Sequence, residues 1–258
     1  MIRSFIAAVF VLSWAGPSSA VEIRNIRPCY GPQGATRHDN KYLANDLVFV
    51  AYDIEKLVPD KNGKVRYTAT LELVDSNNKL LLSKPTDEDL TPALGGARIA
   101  SEAHVFLGPK DPPGKYTVQI TIKDQIGNDT KRFKYQFEIV KEEFGFVGVA
   151  APAVGLAGQQ YAAQFGLVNF KLNAGGNPSV DVIVRVVDET GKQIGDVVKT
   201  TPVPAFKGNI LVSHQMLLNR PGNFGLEITA VDNNANNRSV SLSVPFTVID
   251  VPAIIGPK

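Results

Sequence analysis

The chain holds one cysteine and one tryptophan in 258 residues. With Cys29 alone there can be no internal disulfide, so packing must hold any folded unit together. Histidine is nearly as scarce: His38, His104 and His214 are all there are. No cysteine or histidine pair has zinc-ligand spacing, and no Gly-x-Ser-x-Gly stands at a strand-to-helix turn. Neither charge dominates, with 27 basic against 25 acidic residues. That balance gives no footprint for nucleic acid and no electrostatic docking to a membrane. Phe5 to Ala15 is apolar-leaning but only eleven residues long, too short to span a bilayer. These absences lead us to expect no catalytic residues, no cofactor, no metal and no membrane span.

The first thing present is a leader. Arg3, the apolar stretch from Phe5 to Ala15, and Ser18-Ser19-Ala20 have the order of a secretory signal. Residues 1–20 are therefore expected to be removed, leaving Val21 first, Trp14 lost, and a protein secreted or held in the periplasm or cell envelope. Ile26-Arg27-Pro28 before Cys29 is not the small apolar pattern of a lipid-anchor site. Cys29 reads as a small packed residue, with an intermolecular disulfide as the alternative.

The rest of the chain is written twice. Pro113-Gly114-Lys115-Tyr116 opens an alternating strand that stops at Asp124, and Pro221-Gly222-Asn223-Phe224 opens another that stops at Asp232. Tyr116, Val118, Ile120 and Ile122 share one strand face, matched by Phe224, Leu226, Ile228 and Ala230. The copies lie 108 residues apart, about one β-sandwich domain. Each half reads as about seven strands separated by turn signals, with no helical periodicity. Lys84–Gly96, with Asp87-Glu88-Asp89, reads as a long polar loop. Domains are expected at 21–140 and 144–250, each able to fold alone, with a tail at 251–258.

This pattern resembles tandem immunoglobulin-like domains of secreted bacterial proteins. The likeness rests on strand count, the Pro-Gly-x-aromatic entry to the penultimate strand, and the strand-ending aspartates. It implies an all-β fold of two tandem immunoglobulin-like antiparallel β-sandwiches and, by itself, no activity. It further places Tyr116 at the tyrosine corner of such folds, its hydroxyl closing on the preceding turn. Phe224 departs from that pattern because it carries no hydroxyl. Gly114 and Gly222 are then the structural glycines beside these two rings.

Four kinds of candidate site remain. His104 and His214 fall on matching strands, which argues for a shared structural place rather than catalysis. Asp75, Asp124, Asp188 and Asp232 close strands beside Asn- or Gly-rich turns. Calcium is one reading, and hydrogen bonding of each acid to its own turn is the stronger one. Asn128-Asp129-Thr130 and Asn237-Arg238-Ser239 are glycosylation sequons in matching turns. The run from Phe144 to Leu156 reads as the first strand of the second domain, broken by Pro and Gly where the chain changes sheets. Alternatively Phe144, Phe146, Val149, Val154 and Leu156 form a surface for a partner.

Residues 21–140 carry 33 charges and residues 141–258 only 18. Interface centres are depleted in charge, so a partner is expected on the second domain. Together these features point to an exported, non-catalytic structural or interaction module whose partner is another exported protein. A carbohydrate-binding module, or an accessory pair for a secreted enzyme, is the alternative. The carbohydrate reading wants a flat row of exposed aromatics, and the only tryptophan lies in the leader.

Overall fold

A computed structural model describes residues 20–96, 98–200 and 208–250. The expected leader up to residue 19 and the tail at 251–258 lie outside the described residues. In the first half the strands are β1 (Glu22–Cys29), β2 (Lys41–Tyr42), β3 (Leu47–Glu55), β4 (Val65–Asp75), β5 (Leu80–Leu90), β6 (Ile99–Phe106), β7 (Gly114–Asp124) and β8 (Thr130–Ile139). The second half repeats them as β9 (Gly145–Ala150), β10 (Val154–Leu156), β11 (Gln160–Val168), β12 (Val180–Asp188), β13 (Gln193–Thr200), β14 (Ile210–Leu217), β15 (Gly222–Asp232) and β16 (Arg238–Ile249).

Each half is a sandwich of unequal sheets. Sheet β1-β3-β6 faces β2-β8-β7-β4-β5, and sheet β9-β11-β14 faces β10-β16-β15-β12-β13. All neighbours are antiparallel except β2–β8 and β10–β16, where a short second piece of the opening strand crosses to the other sheet. The chain is therefore all-β, two tandem immunoglobulin-like sandwiches. In the second half the crossing occurs at Ala151-Pro152-Ala153, where proline cannot continue a ladder.

The alternation of the organising strands produces the two cores. Tyr116, Val118, Ile120 and Ile122 are all at most 5% exposed, and Leu226, Ile228 and Ala230 are fully buried. Across the first sandwich they meet Val48, Val50, Tyr52 and Ile54. Across the second they meet Ala163, Phe165 and Leu167. Each large side chain so buried contributes about 1.5–3 kcal/mol.

The strand ends are closed by side-chain oxygens. The Tyr116 hydroxyl donates to the Pro112 carbonyl at 2.8 Å. Phe224 instead packs its ring, tilted, against Phe246 at 5.6 Å, and a different hydroxyl, that of Tyr161, donates to the Pro152 carbonyl at 2.9 Å. Gly114 and Gly222 have φ of +155° and +143°, backbone that side chains rarely adopt. Asp124 is buried and accepts from the amides of Ile126 and Gly127 in its own turn and of Val58 from another loop. Asp232 does the same with Asn234 and Lys171. Asp75 and Asp188 accept from their own turn amides. The four acids thus act as turn acceptors, two of them also tying a neighbouring loop to the sandwich end.

The polar stretch from Lys84 is not a loop as far as Leu90. It continues β5, paired residue for residue with β4. Its acids face hydroxyl and basic groups across the ladder: Asp87 accepts from Thr68 at 2.6 Å and Asp89 pairs with Lys64 at 2.8 Å. Cross-strand pairs of this kind hold a solvated edge strand that lacks apolar alternation.

Tyr116→Phe is expected to cost the first domain about 1 kcal/mol, the net value of one hydrogen bond. Tyr161→Phe is expected to cost the second a similar amount, whereas Phe224→Tyr gains little. Urea unfolding of the three variants checks this; equal stability of Tyr116→Phe and the parent would remove the structural role of that hydroxyl.

Candidate functional site

The histidines do not gather. His104 lies on the outer face of its sheet, its ring 5.4 Å from Phe49, beside the small cluster of Leu47, Phe49, Ala51 and Cys29. His214 is 9% exposed and lines the space between sheets. The expected equivalence of these two residues therefore fails. A shift of one residue in a strand moves a side chain to the opposite face: the inward residues of β6 are Ala103 and Val105, on either side of His104, whereas His214 is itself an inward residue of β14. Among the described residues no three His, Cys, Asp or Glu side chains come together as metal ligands. Cys29 is buried, and burial pushes its thiol upward, away from the reactive thiolate. No tyrosine ring is exposed, and Phe106 is the one exposed phenylalanine among the described residues.

The polar chemistry concentrates instead where the two sandwiches meet. Asp46 is 1% exposed. One carboxylate oxygen accepts from Arg37 at 3.0 Å. The other accepts from the amides of Leu47 in the first domain and Gly148 in the second, each at 2.8 Å. Arg37 also donates to Asp39 and to the Lys41 carbonyl, and its guanidinium lies 3.8 Å from the centroid of the Tyr42 ring. Burial opposes the charge on Arg37, but Asp46, Tyr42 and Asp39 more than offset it and hold the guanidinium protonated.

The loop that carries Arg37 belongs to the first domain by sequence and partly to the second by packing. Tyr30 and Ala35 are buried in the second core. The Ala35 amide donates to the Ala151 carbonyl at 2.9 Å, and the Ala151 amide returns a bond to Tyr30 at 3.1 Å. At Gly34 a Cβ would sit 1.9 Å from the Tyr30 carbonyl oxygen and 2.8 Å from that of Ala151, so only glycine fits. Leu43 and Val140 of the first domain pack with Val147 and Val168 of the second. The side-chain amide of Asn169 donates to the Glu143 carbonyl. Sequence reading missed this joint, since nothing local to Arg37 or Asp46 marks them as partners. The one available signal was a tyrosine and an alanine among the Gly and Pro of residues 28–42.

The run from Phe144 to Leu156 forms β9 and β10, and its alternative reading as a partner surface needs correction. Phe144 and Val149 are core side chains, 4% and 7% exposed. Phe146 is half-buried against Phe165, and Leu156 is half-buried. Val154 alone is exposed. The reason is the short linker, which brings β9 straight under the first domain's loop. Besides Leu172 and Ile249, the second domain exposes Val197 and Val198 on β13 and Leu211 and Leu217 on β14. There the two sheets gape, leaving a cleft of about 280 Å³ that reaches His214.

Four strands border these open sides, and three are guarded against foreign strands. On β5 the edge carries Pro85, Lys84 and three acids. Along β6 lies Glu102, which accepts from Gln33, whose side chain reaches the Ser101 carbonyl. Strand β13 is kinked at Gly195, where its register breaks, and carries Asp196 and Lys199. Such charges, prolines and bulges are how natural sheets blunt their edges. Strand β14, Ile-Leu-Val-Ser-His-Gln-Met-Leu, has none of them. Its only strand partner among the described residues is β11.

The sequence matches no protein-family profile and no curated relative. Solved structures align over most of the chain at low similarity. Red sea bream transglutaminase aligns at 10% identity over 89% of this chain and 31% of its own, with a TM-score of 0.29. Dimeric latent PorU from Porphyromonas gingivalis aligns at 11% over 93% and 21%, with a TM-score of 0.37. The C-terminal domain of the Streptococcus agalactiae AgI/II polypeptide BspA aligns at 10% over 86% and 99%, with a TM-score of 0.32. The chain thus spans about a third and a fifth of the length of the first two.

Removing one member of a buried ion pair strands the other, at about 3–5 kcal/mol. Asp46→Ala is therefore expected to lower stability by that amount and to separate one calorimetric transition into two, one for each domain. A single transition of unchanged midpoint would show that Asp46 does not couple them. His214 supplies a pH test. Burial lowers its affinity for a proton below the ordinary 6.5, so its contribution is complete above that value and lost as pH falls below it. Arg185, Asp196 and Arg220 line the same cleft. Second-domain melting is expected to fall between about pH 7 and pH 5, and His214→Gln to flatten that fall.

Proposed function

We propose that the chain is an exported, non-catalytic module that holds two sandwiches at a fixed angle and offers a strand edge of the second to a protein partner. The observation that carries this reading is β14, an edge strand without charge, proline or bulge and with Leu211 and Leu217 67% and 62% exposed. Unpaired strand edges bind protein through main-chain hydrogen bonds, with side-chain contacts supplying selectivity. The joint at Arg37 and Asp46 supports a structural role, since a fixed angle transmits the position of one domain to the other.

The amino end supports export. Val21 is 2% exposed, and its amide donates to the Asp129 carboxylate at 2.8 Å. Hydrolysis at Ala20–Val21 would convert that amide into an ammonium group facing the same carboxylate, so the processed chain would gain an ion pair where the precursor has a hydrogen bond.

Expression with residues 1–20 in an exporting host, with a photo-cross-linking residue at Leu217 or at Leu94, tests both parts. Leu94 is fully exposed on a loop of the first domain and serves as the control. The expected outcome is an intact mass beginning at Val21 and protein adducts at Leu217 above those at Leu94. A mass that retains Met1–Ala20 would refute export, and equal adducts at the two positions would refute the partner edge.

A further inference from the structure

Strand β14 has the same chemical pattern in both directions. About His214 as centre, Ser213 mirrors Gln215, Val212 mirrors Met216, Leu211 mirrors Leu217, and Ile210 mirrors Leu218. Each mirrored pair joins polar with polar or apolar with apolar. Residues opposite one another in an antiparallel ladder share a face of the sheet. On β14 the exposed residues Leu211, Ser213, Gln215 and Leu217 alternate with the inward Ile210, Val212 and His214. A twofold axis through His214 would therefore set Leu211 against Leu217 of a second copy, and Leu217 against its Leu211, both pairs on the outer face.

We propose that the partner of this edge is a second copy of the chain, paired antiparallel through β14 about His214. The pairing joins two three-stranded sheets into one of six strands and removes both bare edges at once, as a closed isologous contact must. It rests on the reading of β14 as a partner edge given above, and commits that edge to one occupant. Charge permits it: Ile210–Leu218 contains no Lys, Arg, Asp or Glu, so the axis brings no like charges together. Shape favours it as well. Beside Leu211 the outer face has a recess of about 310 Å³, floored by Gly148 and Gly166, where side chains are missing. That recess can receive the leucine pair at each end of the contact.

The geometry also fixes the form of the dimer. Ile210 pairs with Leu167, next to Val168, which packs on Leu43 of the first domain. Strand β14 therefore runs away from the domain joint, and an antiparallel partner sends the two first domains to opposite ends of an elongated particle. A single strand pair with two leucine contacts is smaller than a standard interface of about 1,200–2,000 Å², so the dimer is weak and concentration-dependent.

Sedimentation equilibrium of the purified chain tests this directly. The expected result is a reversible monomer–dimer equilibrium whose Kd rises about tenfold or more in Leu217→Lys, because a charge at a strand edge blocks foreign pairing. Phe106→Lys, on the exposed edge of the first domain, is expected to leave Kd unchanged. Both side chains are exposed, and unchanged melting temperatures confirm that the variants fold. As a register check, Ser213→Cys chains mixed with Gln215→Cys chains are expected to form disulfide-linked dimers faster than either alone. A monomer up to hundreds of micromolar would overturn the proposal, as would a dimer weakened by Phe106→Lys and not by Leu217→Lys. If photo-adducts at Leu217 contain only unrelated proteins, the self-pairing is wrong while the partner edge stands. If Leu217 gives no adducts above the control, both are wrong.

Discussion

A buried carboxylate between two domains must have every lone pair occupied, and Asp46 meets that demand with groups from both sandwiches. The Arg37 guanidinium neutralises it, and the Gly148 amide ties it to the second domain. Once these partners are fixed, the loop that bears Arg37 has one position. That position carries Tyr30 and Ala35 into the second core and brings Gly34 so close to Ala151 that no side chain fits there. The angle between the sandwiches then follows from local hydrogen bonding, and a three-residue linker is enough.

The same joint explains how the edges are distributed. A sheet of three strands facing one of five leaves a gap on each flank of a sandwich. In both domains the opening strand splits to serve both sheets and closes one flank, and in the second domain the first domain's loop lies over that flank too. The other flank stays open. In the first domain it is guarded by Pro85, by acids and by Gln33. In the second, β13 is guarded and β14, among the described residues, is not.

Repetition of the fold did not bring repetition of detail. Tyr116 closes a turn through its hydroxyl, whereas its counterpart Phe224 only packs its ring against Phe246 and Tyr161 makes a hydroxyl bond at another place. His104 and His214 stand on strands of matching order yet face opposite ways. The acids at strand ends are the part that is truly shared: Asp124 and Asp232 each bind their own turn and one distant amide.

Local patterning alone determined the all-β class, the two copies and their core faces, because alternation with a period of two is written into each strand. It also marked the turn acids and the Pro-Gly entries, whose chemistry is satisfied within a few residues. Tertiary structure decided the rest. Whether the polar stretch from Lys84 becomes an edge strand depends on β4 beside it. Whether Phe144 and Val149 are surface or core depends on a loop more than a hundred residues earlier. That β14 lies at a sheet edge among the described residues depends on which strands lie next to it, and no residue within β14 encodes its neighbours. Sequence spacing reports on contacts made within a strand or turn, and the joint and the open edge are made between segments far apart in the chain.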